Sequence, residues 1–167
     1  SASKVRIHDL ALGAYDCLAI CRHIGSPKLY PRIATAFQEL PYATKLPHGS
    51  FALFSGWSQI ETWPRDAKIH LLSVNDVTDS LILKLSWEYV LFKLLASTEY
   101  SSVLSAAYAF ALNCPPHLQD SLLELPTITS PTAKVTKLLG ADRNTIRRHL
   151  KKRNGSLYTS LSDSQGT

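Results

Sequence analysis

The stretch from Ser80 to Ser97 constrains the fold more than any other part of the chain. Leu81, Ile82, Leu83, Leu85, Trp87, Val90, Leu91, Phe92, Leu94 and Leu95 leave almost no side of a helix polar. A soluble helix with that surface lies at the centre of a core or packs against a second copy. The longest apolar tract, Leu81 to Leu112, is interrupted by Lys84, Glu88, Lys93 and Glu99, which argues against a membrane span. The expected fold class is therefore mainly α, built around this segment, with enough apolar material (45% of 167 residues) for a real core.

The flanking pattern divides into short elements. Ile7, Leu10, Ala11, Ala14, Leu18 and Cys21 recur at helical spacing, predicting a helix from Val5 to Ile24 that Gly25-Ser26-Pro27 stops. Ile33, Ala34, Phe37 and Leu40 predict a second helix over Tyr30 to Leu40, closed by Pro41, with a loop from Tyr42 to Ser50. Phe51 to Ile60 and Lys68 to Val74 read as two strands of a small hairpin turning at Trp63 to Asp66. The alanines at 106, 107, 109 and 111 predict a closely packed helix over Ser101 to Leu112, ended by Pro115-Pro116.

Three short helices complete the pattern. Leu118, Leu122, Leu123 and Leu125 mark the first, from Pro116 to Leu125. Ser130 and Pro131 form an N-cap and first-turn pair for the second, which turns Val135, Leu138 and Leu139 inward. Gly140 supplies a left-handed turn after Leu139, and Asp142 caps a third helix over Arg143 to Lys152, with Ile146 and Leu150 toward the core. After Gly155 the Ser- and Thr-rich tail offers few anchors.

The charge is unevenly placed. The net charge is +5, yet before residue 131 ten Lys and Arg face eleven Asp and Glu. From Pro131 to Arg153, eight basic residues oppose Asp142 alone. Such a block raises the local concentration of a polyanion, nucleic acid and anionic membrane being the general cases. The third helix adds forked Arg donors suited to guanine edges and phosphates, with Asn and Thr beside them.

Two helices joined by a tight Leu-Gly turn, the second basic, have the layout of a helix-turn-helix. The run Ala133 to Lys152, AKVTKLLGADRNTIRRHLKK, resembles the Fis-type helix-turn-helix, a module that also ends many bacterial enhancer-binding activators. The resemblance covers about 40 residues, roughly a quarter of the chain. It departs from the family at Thr136, where Ala is preferred, and at Ala141, where a larger apolar residue is usual. Carried over by position, it implies that Arg143, Asn144, Thr145, Arg147, Arg148 and Lys151 face DNA, with Lys134 and Lys137 near its backbone.

The resulting expectation is a cytoplasmic, nucleoid-associated transcriptional regulator that binds double-stranded DNA as a homodimer. Residues 1–114 would form a helical dimerisation, sensor or interaction domain open to another protein or a small ligand. Residues 115–153 would form the tri-helical reader, and 154–167 a mobile tail. The alternative is a viral or structural protein whose basic patch meets nucleic acid or membrane without sequence choice. No phosphate-binding loop, nucleophile elbow or other catalytic constellation occurs, so an enzyme and a cofactor are not expected. Three cysteines and no apolar signal core in Ser1 to Lys4 fit a reducing compartment better than a disulfide framework. Cys17, Cys21 and His23 could chelate a metal from one helix face, but their apolar neighbours favour burial of the thiols. Trp57 and Trp63 could floor a pocket or stack bases, with core packing the plainer role.

Overall fold

The structure is a computed structural model that describes residues 4–24, 40–58, 69–97, 100–123, 130–140, 142, 144–145, 147–148 and 151. The described residues are mostly helical, with a small four-stranded sheet. In chain order they form β1 (Val5–Ile7), a 3-10 turn (Asp9–Ala11), α1 (Leu12–Ile24), β2 (Tyr42–Lys45), β3 (Phe51–Ser55) and β4 (Leu72–Ser73). After the sheet come the helices α2 (Asp79–Ser97), α3 (Tyr100–Asn113), α4 (Pro116–Leu123) and α5 (Pro131–Leu139).

The sheet differs from the expected hairpin. Its order is β1-β3-β2-β4, with β2 and β3 antiparallel and both edges parallel to their neighbours. The hairpin turn is Pro47-His48-Gly49, inside the segment expected to be a loop. Leu46 N–H donates to Ser50 O at 2.8 Å, and His48 and Gly49 take left-handed φ of 68° and 77°. The strand starting at Phe51 stops at Ser55 rather than Ile60, because Gly56 turns the chain at φ 72°. A Cβ on Gly56 would lie 2.6 Å from the Pro41 Cα, so only glycine fits there. The other expected strand shrinks to Leu72–Ser73 and pairs with β2, not β3.

The expected first helix also begins later. Val5 to Ile7 pairs with Phe51 to Leu53 as an edge strand, and His8 ends it, its Nδ1 accepting from Leu10 N–H at 3.2 Å. Helix α1 then starts at Leu12. The expected helix over 30–40 lies outside the described residues except for Leu40, which is not helical; the turn at 63–66 and the tail after Gly155 lie wholly outside them.

The core gathers where the sheet meets α1, α2 and α3. Ala11, Ala14, Cys17, Leu18 and Cys21 of α1 and its lead-in pack with Leu53, Phe54 and Trp57, and with Ile82, Trp87, Val90 and Leu94 of α2. Trp87 meets Phe110 edge-on at 5.8 Å, and Trp57 meets Tyr89 edge-on at 4.6 Å. Trp57 is thus a core residue with 1% of its surface exposed. The alanines of α3 let α1 approach closely: the Cys21 thiol reaches the Ala106 carbonyl at 3.8 Å. Ser86, buried in α2, returns its hydroxyl to the Ile82 carbonyl at 2.8 Å, which removes the cost of burying an unpaired donor.

Packing continues past residue 114, the expected domain boundary. Leu118 of α4 lies in the same buried cluster as Phe110 and Cys114. Helix α5 rests on α3 through Val135 and Leu139, against Ala107, Ala111, Leu104 and Tyr108. Val135 and Leu139 are therefore turned to α3, and among the described residues what links α5 to α4 is polar.

Candidate nucleic-acid interface

Helix α5 begins and ends where the sequence predicts, but the Ser130 hydroxyl makes no capping bond. Ser130 is extended and accepts the first backbone bond, from Lys134 N–H at 3.0 Å; Pro131 sits at the first turn, where a missing N–H is no loss. Gly140 closes the helix at φ 62° and ψ 16°. No atom lies within 4 Å of where its Cβ would be, so the left-handed backbone, not crowding, selects glycine.

Two residues later the Asp142 carboxylate caps a new helical run. Its Oδ2 accepts from Asn144 N–H at 3.0 Å and from Thr145 N–H at 3.2 Å. That satisfies two of the donors a helix start leaves open and places negative charge at the positive end of the dipole. Asn144, Thr145, Arg147, Arg148 and Lys151 all have helical backbone and are exposed. At 3.6 residues per turn, Asn144, Arg147, Arg148 and Lys151 share one face, with Thr145 at its flank. Lys137 is also exposed, in the last turn of α5, where a cation suits the helix dipole. Arg143, assigned to the same face from the sequence, lies outside the described residues.

Lys134 does not belong with them. It is 5% exposed, and its Nζ donates to Gln119 Oε1 at 2.8 Å and stands 3.7 Å from Asp120 Oδ1. Gln119, also buried, donates through Nε2 to the carbonyls of Ala111, at 2.9 Å, and Cys114. The Lys134 ammonium thus latches α5 to α4 and, through Gln119, to the C-terminal end of α3. The placement near a DNA backbone is corrected accordingly. The physical reason is its place on α5: Lys134 lies on the flank turned to α4, where Gln119 and Asp120 receive its ammonium. The Gln119 relay is not readable in the sequence, because its bonds go to main-chain carbonyls of α3 and the turn after it.

Two other features of this region have simple causes. Thr136, the departure from the resembled family, donates its hydroxyl to the Thr132 carbonyl at 2.9 Å, so it asks nothing of the neighbouring helix. Burial pushes the Cys114 thiol up to about 12, with the nearby Lys134 ammonium pulling the other way. In α1, a hydrogen bond with Cys21 and then burial raise the Cys17 thiol far above its ordinary range. Among the described residues, no three His, Cys, Asp or Glu side chains converge as a metal ion would require.

No protein-family model matches the chain, and no curated protein or solved structure matches it either. Among the described residues, no helix is long and apolar enough to cross a membrane.

Proposed function

We propose that the exposed basic face formed by Asn144, Arg147, Arg148 and Lys151 reads duplex DNA, in the manner of a helix-turn-helix. The protein would then be a non-catalytic transcriptional regulator acting at the nucleoid as a homodimer. The observation that carries this reading is the join between α5 and the basic run. A left-handed glycine is followed by an aspartate capping a helical run whose cationic side chains are exposed. A charged patch that only keeps the chain soluble needs neither the turn nor the cap.

The chemistry fits a groove. Arg147 and Arg148 supply planar forks for guanine edges or paired phosphates, Lys151 a point charge, and Asn144 an amide for adenine. Lys137, one turn before Gly140, would meet the phosphate backbone. One such reader spans few base pairs, so two copies on a two-fold site would supply the affinity. Lys134 has a different part, as the latch that holds α5 against α4.

The test is fluorescence anisotropy with labelled duplex DNA, comparing the parent chain with Arg147→Ala/Arg148→Ala. The expected result is parent binding at low salt and a loss of about tenfold or more in the double variant. Equal binding by both would remove the face from the interface. Tighter binding to single-stranded RNA or anionic vesicles than to duplex would replace the regulator reading with that of a structural, sequence-indifferent protein.

A further inference from the structure

Helix α2 buries Ile82, Ser86, Trp87, Tyr89, Val90 and Leu94, yet its opposite side is not the polar face a surface helix ordinarily presents. Leu81, half-buried Leu85, Glu88 and Phe92 succeed one another at spacings of four, three and four, a single stripe along the helix. Phe92 is 61% exposed and Leu81 42% exposed, so two large apolar groups stand in solvent at the two ends of the stripe. Between them sit Lys84 and Glu88, an exposed pair held only loosely at 3.7 Å.

The spacing of this stripe, four, three and four, reads the same in both directions. An antiparallel copy of the helix, related by a two-fold axis between residues 86 and 87, brings each Leu81 level with the other copy's Phe92. The same operation sets each Lys84 within one residue's rise, about 1.5 Å, of the other copy's Glu88. Two apolar contacts and two opposite-charge contacts form at once; each Glu88 is nearer along the axis to the other copy's Lys84 than to its Glu88, which is offset by three residues, about 4.5 Å. Self-complementarity about a two-fold axis is the defining requirement of an isologous interface.

We propose that this outer stripe of α2 is a self-association surface that pairs two copies of the chain antiparallel. The charge arrangement selects a second copy over an unrelated apolar partner, because Lys84 and Glu88 are placed to neutralise each other across the axis. The stripe is short, so the interface is at the small end of specific contacts and the dimer is a reversible one of micromolar strength. The proposal stands whether or not the basic face binds DNA; if both hold, the α2 axis sets the spacing of the two readers.

The experiment is sedimentation equilibrium of the full chain across a micromolar concentration series, with far-UV circular dichroism to show equal helix content in every variant. The parent is expected to pass reversibly from monomer to dimer, and Phe92→Lys to weaken the dimer about tenfold or more. Lys84→Glu alone sets acid against acid across the axis, and Glu88→Lys alone sets base against base, so each is expected to weaken self-association by a similar factor. Mixing those two single variants restores opposite charges at both contacts, so the mixture is expected to dimerise more tightly than either alone. That recovery cannot come from relief of repulsion within one helix, since each chain keeps its own charges. A parent that stays monomeric throughout overturns the proposal, as does a dimer unaffected by Phe92→Lys. A mixture no tighter than its components overturns the antiparallel register.

Discussion

Nineteen residues of α2 and nine of α5 both rest on α3, but they are held there by different physics. Helix α2 inserts Ile82, Trp87, Val90 and Leu94 into a cluster that also takes in α1 and the sheet, so its position is set by buried apolar area. Helix α5 offers Val135 and Leu139 to two alanines and their neighbours, and adds one buried ammonium. The first attachment is broad and non-directional. The second is narrow and depends on a hydrogen-bond relay through Gln119. A part held by area fails with the whole fold, whereas a part held by a latch can be released while the rest stays folded.

Substitutions can break that contrast or sharpen it. The largest expected effect is at Trp87→Ala, which removes a fully buried ring packed on Phe110 and is expected to cost about 3–5 kcal/mol. Chemical denaturation should show the whole chain losing stability together. Lys134→Met keeps the stem but strands the Gln119 carbonyl, with an expected cost of about 1–3 kcal/mol confined to α5. Native-state hydrogen exchange is the measurement: α5 amides should lose protection while those of α2 keep theirs. Equal loss in both helices would erase the distinction between area and latch.

Smaller effects belong to the join. Asp142→Ala removes the cap on Asn144 and Thr145 and is expected to cost about 1 kcal/mol, seen as lost protection over residues 144–151. Gly140→Ala puts a Cβ on a left-handed residue with space around it, so only the backbone contribution applies, about 1–2 kcal/mol. The last prediction concerns pH. The Cys114 thiol stays protonated in the fold up to about 12, against an ordinary value of 9.0. Above pH 9.0 the unfolded chain therefore releases a proton that the folded chain keeps, and stability falls as pH rises toward 12. Cys114→Ala should lessen that alkaline decline in a denaturation series, leaving the share that the raised Cys17 thiol contributes; an unchanged slope would assign it elsewhere.

The helices from α2 to α5 are legible in the sequence because their signals are local. Apolar spacing locates α2, alanines mark α3, and Pro116, Pro131 and Gly140 punctuate α4 and α5. The sheet is legible only in part: strands at Phe51 and within Lys68 to Val74 are expected, but β1, β2 and the pairings are not, because the strands are two to five residues long and join distant segments. Val5 and Ile7 fit a helical period as well as an alternating one, and only pairing with Phe51 and Leu53 decides between them. Within the candidate site, the exposed positions come from the outer face of a capped helix. Lys134 is misplaced by the sequence because it is grouped with the basic residues that follow it. A buried lysine becomes foreseeable only once a partner such as Gln119 is known to wait on another helix.

The central claim is that Arg147, Arg148 and their neighbours grip the phosphates and base edges of duplex DNA. Its most direct measurement is the salt dependence of duplex binding by anisotropy, for the parent and for Arg147→Ala/Arg148→Ala. The account predicts a log–log slope of several units for the parent and a drop of about one to two units in the variant, depending on how many of the two arginines touch phosphate. Absence of duplex binding at low salt, or the same affinity and slope in both proteins, would contradict it.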